Sequence, residues 1–283
     1  MIDLHSHTNE SDGTYTPREL LDCALALGLE ALAITDHDTF AGYDQALPMA
    51  RAAGLDLVCG IELSTRTTGE RSHTVHLLGY FLHRPPTAEF RTWLGELIQG
   101  RRDRNIRLID SLQAQGVEIE LSEVERMGRT LTGRPHFARV LMRKGYVATS
   151  EEAFRKYLGE TAPTYVERHA PYVAAGIQRV LEAGGLPVLA HPIRLGFRDP
   201  EAEEALIAEM RDAGLRGIEV YHSDHDPEDM EHYAGIARKY NLAVTGGSDF
   251  HGDAKPQIAL GTGWKCNLNI PKAILEQLRA RAA

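Results

Sequence analysis

Short apolar runs recur along the chain, each ending in a polar cluster, with longer amphipathic stretches between them. The first run, Ile2-Asp3-Leu4, leads into His5-Ser6-His7, and the turn residues Ser11-Asp12-Gly13-Thr14 follow. Thr16-Pro17-Arg18-Glu19 predicts a helix start, with Thr as N-cap, Pro in the first helical position and an acid in the first turn. Leu20, Leu21, Ala24, Leu25 and Leu27 give that helix an apolar face, and Gly28 ends it. Leu29 to Thr35 reads as a strand closing on Asp36-His37-Asp38. A helix over about Gly42 to Ala53 stops at Gly54, Leu55 to Leu63 is a third strand, and Thr74 to Phe81 is a fourth, joined by a polar loop.

From Pro86 to about Tyr165 the pattern is helical throughout. Phe90, Trp93, Leu94, Leu97 and Ile98 sit at helical spacing, and Asn105 to Gln115 continues to Gly116. Leu121 to Met127, His136 to Lys144 and Ser150 to Leu158 read as further short helices. Alternation then resumes, with helices over Tyr172 to Ala183, Glu201 to Ala213, Pro227 to Lys239 and Pro271 to Ala282. Between them lie strands over Leu186 to Ala190, Gly217 to Tyr221 and Leu242 to Thr245. Strands alternating with helices imply parallel pairing through right-handed crossovers. Ligand-type residues end at least five strands, which favours a closed barrel, because a barrel brings every strand end to one mouth. The expected class is α/β, with residues 1–85 and 166–283 forming the barrel and residues 86–165 an inserted helical cap.

The candidate chemistry lies at the strand ends. His5 and His7 share a face because side chains alternate along a strand. Thr35-Asp36-His37, Gly60-Ile61-Glu62, Ala190-His191-Pro192 and Ser248-Asp249-Phe250-His251 each place a nitrogen or oxygen ligand past an apolar run. Pro192 is expected to hold His191 in extended geometry. Gly246 and Gly247 allow Asp249 and His251 to project together. Imidazoles and carboxylates without thiolates suit Mn²⁺, Fe²⁺ or Zn²⁺ in a catalytic role. His5, His7, Asp12, His37, Glu62, His76, His191, Asp249 and His251 are too many for one ion, so two or three are expected, with Glu62 and Asp249 the natural bridges. His76 lies inside a strand pattern and is preferred to His73. Taken singly, each residue has an ordinary structural explanation, and the weight comes from the combination.

Composition narrows the class. The 283 residues are 43% hydrophobic and 25% charged, as in globular proteins. No apolar run reaches the roughly 18 residues of a membrane span, and the opening residues do not resemble a secretory signal. Cys23, Cys59 and Cys266 are odd in number and far apart, which reads as a reducing compartment, the cytoplasm by default. The net charge of -9 argues against adhesion to long nucleic acid. Residues 126–145 nevertheless hold Arg126, Arg129, Arg134, Arg139, Arg143 and Lys144 with no acid among them. Such an island is either a solvated helix face or a place for an anionic substrate.

His-x-His with a following Asp, Thr-Asp-His, a strand-end Glu, Ala-His-Pro and Ser-Asp-x-His together resemble the motif set of the PHP (polymerase and histidinol phosphatase) family, over nearly the whole chain. That resemblance implies a distorted (β/α)7 barrel with a di- or trinuclear metal site and phosphoesterase chemistry. It places His5, His7, Asp12, His37, Glu62, His191, Asp249 and His251 on motif positions. Asp12 stands where some members have His, which weakens the expected hold on a third ion. A metal cluster supplies hydroxide near neutral pH and polarises phosphoryl oxygens, so attack of metal-bound hydroxide on phosphorus is expected, with Mn²⁺ the leading metal. The chain has no Gly-x-Ser-x-Gly elbow and no P-loop.

Thr132-Gly133-Arg134-Pro135-His136 resembles a segment of the family branch that acts on 3',5'-nucleoside bisphosphates, relatives of which trim the 5' ends of short RNAs. A substrate with two phosphates needs a cationic pocket apart from the metals. Arg134 and Arg194 are the expected clamps, His136 a second ligand for that phosphate, and His222 a proton donor to the leaving oxygen beside Asp249. His83, His169 and His232 read as surface histidines. The expected activity is release of the 3'-phosphate from a nucleoside bisphosphate. Alternatives are 5'-3' exonuclease action on short oligoribonucleotides, a histidinol-phosphate-type phosphatase and a non-catalytic metal-binding module. No membrane or protein partner is implied.

Overall fold

Among the described residues, seven strands form one sheet in simple sequence order. The computed structural model describes residues 1–68, 74–168 and 170–282. Strands β1 (Ile2–Asp3), β2 (Ala31–Ile34) and β3 (Asp56–Arg66) pair in parallel, separated by helices α1 (Pro17–Ala26) and α2 (Ala41–Ala53). Thr16 caps α1 in the reciprocal arrangement with Glu19 that the sequence predicts. Strand β4 (Thr74–Phe81) runs antiparallel to β3, with Arg66 opposite Thr74. The alternation rule fails at this one strand because residues 67–73 are too short a connection for a parallel crossover, which takes a dozen or more residues.

Helices α3 (Ala88–Ala114), α4 (Leu121–Glu125), α5 (Arg134–Arg143) and α6 (Ser150–Ala153) follow, α6 running into a π turn at Phe154–Leu158. The two halves of α3 pack on different cores. Phe90 and Leu94 join the main barrel cluster, whereas Leu108, Ile109 and Leu112 pack with Val124, Phe137, Leu141 and Leu158. Helix α7 (Val173–Glu182) leads to β5 (Leu186–Leu189), which pairs antiparallel with β4. Helix α8 (Pro200–Asp212), strand β6 (Gly217–His222), helix α9 (Pro227–Lys239) and strand β7 (Ala243–Gly247) restore the parallel pattern. A short hairpin of β8 (Ile258–Ala259) and β9 (Gly263–Trp264) precedes α10 (Ala273–Ala282).

The sheet curls into a nearly closed barrel. Leu4 N donates to Gly246 O at 3.2 Å, Asp249 N to His5 O at 2.8 Å and His7 N to Phe250 O at 2.9 Å, which joins β1 to β7. Gly247 is required at that seam, since a Cβ there would lie 2.3 Å from the His5 backbone nitrogen. Side chains alternate along the strands, so Val58 and Glu62 share one face of β3, and Tyr80 shares one face of β4 with His76. Val58, Leu78, Tyr80 and Val188 belong to one buried apolar cluster, and Glu62 and His76 come next toward the mouth. Because β4 runs backwards, its ligand-type residue lies near its start, with His76 opposite Ser64.

Candidate metal centre

The strand ends converge on Glu62, which is 1% exposed. Its Oε1 lies 2.9 Å from both His76 Nδ1 and His191 Nε2. Its Oε2 lies 3.1 Å from His7 Nε2 and 3.3 Å from His5 Nε2 and His37 Nδ1. Asp249 Oδ1 approaches His5 at 3.4 Å and His7 at 3.3 Å. Asp12 is 3.4 Å from His251 and 3.8 Å from His37. Thus all nine residues named from the sequence as ligand candidates lie in one cluster. His73 falls outside the described residues.

The donor set fits divalent ions. His5 Nε2, His7 Nε2 and His76 Nδ1 are buried and make no hydrogen bond among the described residues, although each lies within 3.3 Å of a Glu62 oxygen. At metal–ligand distances of about 2.0–2.2 Å, adjacent ligand atoms come about that close while pointing at a shared ion rather than at each other. His, Asp and Glu atoms gather here in groups able to hold an ion: His5 with His7, Glu62 and Asp249, and His7 with Asp12, His37 and His251. Burial opposes charge on the imidazoles, but the neighbouring Asp249 and Glu62 carboxylates raise His7 to about 9, whereas burial prevails at His37 and lowers it to about 4. Burial likewise raises Glu62 and Asp12, yet the surrounding imidazoles hold both carboxyls well below the usual range. The site therefore concentrates carboxylate charge that a cation would balance.

Backbone strain accompanies this convergence. His191 has φ 26°, Asp249 φ 55° and Asp38 φ 51°, in a region that non-glycine residues rarely occupy and that marks functional sites. His191 is not extended as its proline neighbour suggested. Its backbone nitrogen donates to Glu219 Oε2 at 2.7 Å while its ring reaches Glu62, and the positive φ serves both contacts.

Glu219 was not singled out from the sequence. Fully buried, it lies with Oε1 3.0 Å from His5 Nδ1. A register shift between Glu219 and Tyr221 puts an extra residue into β6, which turns Glu219 and His222 to the same side despite their odd spacing. His222 is also fully buried. Its Nδ1 accepts from Asp224 N at 3.0 Å and its Nε2 stands 3.7 Å from Asp249 Oδ2. It packs behind Asp249 and does not reach the cavity wall.

A cavity of about 850 Å³ opens over the cluster, lined on one side by Asp12, His37, Glu62, His76, Asp249 and His251. The other side carries Arg101, Arg104, Arg134 and Arg168, with Phe154 and Tyr165. Asp38, fully buried, accepts from Arg101 and, at 3.2 Å, from Arg168. Burial raises the Asp38 carboxyl, but these two guanidiniums hold it at about 2. Arg104 is 3% exposed, and its described side-chain partner is the neutral Asn105 at 3.0 Å. Burial and the charges of Arg101, Arg134 and Arg168 depress its pKa well below the usual value.

The acid-free stretch contributes less than its charge suggested. Arg134 lines the cavity, donates to Leu158 O at 3.2 Å and stacks over Phe154 and Tyr165. Arg139 lines it and donates to the Asp12 backbone oxygen. Arg129 instead pairs with Glu10, and Lys144 with Glu123. The cavity takes Arg101, Arg104 and Arg168 from outside that stretch. The spacing of Arg101 and Arg104 on one helical face was the available signal. Arg194 lines the cavity with its guanidinium 2.8 Å from Asp249 and 2.7 Å from Asp224, and Lys255 Nζ also lies 2.7 Å from Asp249. His136 does not join Arg134 on the wall. It is fully buried, and its Nδ1 accepts from Gly133 N at 3.0 Å to cap its own helix.

Fold and site together define a metal-dependent hydrolase built on a seven-stranded barrel. The chain belongs to the PHP family, as the PHP domain model matches residues 3–162. It is 34% identical over 252 residues to the 3',5'-nucleoside bisphosphate phosphatase of Chromobacterium violaceum, covering 88% of this chain and 87% of that protein. It is 30% identical over 249 residues to a 5'-3' exoribonuclease of Haemophilus influenzae, covering 88% and 89%. To a phosphoribosyl 1,2-cyclic phosphate 1,2-diphosphodiesterase of Eggerthella lenta it is 33% identical over 254 residues, covering 88% and 94%. A crystal structure described as a metal-dependent phosphoesterase from Bifidobacterium adolescentis superposes with a TM-score of 0.85 at 32% identity, covering 100% of this chain and 96% of that one. The protein is a PHP-family phosphoesterase with a His, Asp and Glu cluster able to bind metal ions.

Proposed function

We propose that the protein releases the 3'-phosphate of 3',5'-nucleoside bisphosphates. The observation that carries this reading is one cavity with two ends suited to phosphate, the carboxylate–imidazole cluster, which would take it through bound metal ions, and the four guanidiniums opposite. A phosphate monoester alone would leave the positive charge of the second end only partly balanced, by Asp38 and Glu160. The similarity to the Chromobacterium violaceum phosphatase supports the same substrate class.

His5, His7, Glu62 and Asp249 would hold one ion, Glu62 with His76 and His191 a second, and Asp12, His37 and His251 a third, Mn²⁺ being the leading choice. Such ions lower the pKa of a coordinated water and polarise phosphoryl oxygens. Arg194 and Lys255, both on Asp249, face the cavity where non-bridging oxygens would lie. Arg134, with Arg101, Arg104 and Arg168, would grip the 5'-phosphate, and residues 86–165 would act as the cap that supplies most of this pocket. His222 fits a place beside the metal cluster better than proton transfer to the substrate, because its Nε2 is buried without a hydrogen-bond partner among the described residues, close to His5 and Glu219 and off the cavity wall.

A second reading, 5'-3' exonuclease action on short RNA, is favoured by the cavity volume of about 850 Å³, which is at the upper end for small-molecule sites, and by the Haemophilus influenzae relative. Histidinol phosphate, a cationic amino-alcohol, gains nothing from four guanidiniums. The deciding experiment is phosphate release by Mn²⁺-loaded protein from adenosine 3',5'-bisphosphate, 3'-AMP and 5'-AMP. Fast release from the bisphosphate with 5'-AMP as product is expected. Activity confined to oligonucleotides would replace this reading by the second.

A further inference from the structure

We infer that Asp38 is a positioning residue that sets the guanidinium pocket at a fixed distance from the metal cluster. The inference rests on the bisphosphate reading and adds to it the element that measures the gap between the two phosphates. Asp38 follows His37 just beyond the end of β2, in the left-handed region with φ 51°. Its backbone nitrogen donates to Glu62 O at 3.1 Å, and its Oδ1 accepts from Ser64 N at 2.9 Å. These two bonds register it on the strand that carries Glu62.

The other carboxylate oxygen faces the cap. Oδ2 accepts from Arg101 of α3 and from Arg168, which lies in the segment returning to the barrel before α7. Ser64 completes the clamp, its Oγ 3.0 Å from Arg101 Nη2 and its backbone oxygen 2.9 Å from Arg168 Nη2. Arg104 stands one turn beyond Arg101 on the same helix. Asp38 on Arg101 and Arg168, with Glu160 near Arg134, still leaves the four guanidiniums net cationic, so Asp38 does not neutralise the pocket. It orients two of the four, and each can still offer a free edge to an anion because guanidinium carries five donors. Asp38 is buried beneath them, so it acts on substrate only through Arg101 and Arg168.

The test is calorimetric binding of 5'-AMP to metal-free protein, together with steady-state kinetics on adenosine 3',5'-bisphosphate and metal analysis of the Mn²⁺-loaded protein. Asp38→Asn should weaken 5'-AMP binding at least 10-fold and raise KM for the bisphosphate at least 10-fold, with kcat falling less than 3-fold and bound Mn²⁺ unchanged. Loss of Mn²⁺, or a fall in kcat without a change in KM, would overturn the inference by making Asp38 a support for His37. If Asp38→Asn does not fold, Asp38→Glu carries the same charge one carbon further and should weaken 5'-AMP binding at least 3-fold. Wild-type affinity in that variant would also overturn it. Wild-type protein that binds 5'-AMP but releases no phosphate from the bisphosphate would overturn the substrate reading, while the loss in Asp38→Asn would still support the positioning role. Wild-type protein that binds no 5'-AMP would overturn both.

Discussion

The Nε2 of His191 lies 2.9 Å from Oε1 of Glu62, across 129 residues of sequence. His76 Nδ1 is the same distance from that oxygen, and three more imidazoles crowd the other one. A carboxylate so placed is the shared member of the cluster. Glu62→Gln keeps the shape and removes the charge, and should lower kcat by about 10⁴-fold, as loss of a central catalytic group does. Metal analysis should show at least one fewer Mn²⁺ per chain. Treatment with a chelator should silence the wild type, and Mn²⁺ should restore it. A Glu62→Gln variant with full metal content and activity would remove Glu62 from the centre.

Glu219 touches no part of the cavity, yet it holds both His5 Nδ1 and the backbone of His191. A carboxylate behind a ligating imidazole fixes its tautomer and raises its basicity, and loss of such partners costs about 10–100-fold in metal affinity. Glu219→Gln should therefore weaken Mn²⁺ binding by about that factor, read by titration of metal-free protein, with activity recovering at high Mn²⁺. Unaltered affinity would reduce Glu219 to a packing role.

The difference between these two glutamates shows what the chain made legible. Glu62, His37, His191 and Asp249 each end an apolar run, so the alternation of strands and helices already carried them to one mouth. His76 could be preferred because it lies inside a strand pattern, and the reversed direction of β4 explains its early place there. Glu219 also lies within a strand, but its orientation depends on the extra residue in β6, and a bulge leaves no mark in hydrophobic periodicity. The cation pocket was hidden for another reason. Arg101 and Arg104 of α3, Arg134 of α5 and Arg168 ahead of α7 meet only through the tertiary fold, so local charge density points instead to residues 126–145, where Arg129 and Lys144 are spent on ion pairs. His136 misled by proximity to Arg134, since adjacent helical residues two positions apart face different sides.

Arg104 offers a trade of function against stability. Among the described residues it has no carboxylate partner within ion-pair distance, and three guanidiniums press on it. A buried charge without compensation is costly. Arg104→Leu should stabilise the metal-free protein by about 1–3 kcal/mol in urea unfolding, while KM for a nucleoside bisphosphate rises at least about 10-fold, the loss of one charge-assisted contact. A variant both less stable and unchanged in KM would place Arg104 in the architecture of the cap instead of the substrate pocket.

His136 gives the fold a pH dependence of its own. Burial lowers its pKa from 6.5 to about 4, against a smaller opposing pull from Asp12. In the unfolded chain the same imidazole takes up a proton near 6.5, so between pH 6.5 and 4 the unfolded state binds a proton that the folded state refuses. Stability from this residue is therefore fully present above pH 6.5, is lost as pH falls toward 4, and does not change further below that. The shift corresponds to about 3 kcal/mol at most. His136→Asn retains an oxygen able to cap Gly133 but does not titrate. Urea unfolding with chelator present, at pH 7 and at pH 4.5, should show the wild type losing more stability than the variant, by up to that amount. Parallel losses in the two proteins would assign the acid sensitivity to the imidazoles around Glu62, and His136 would then be a cap without a titration of consequence.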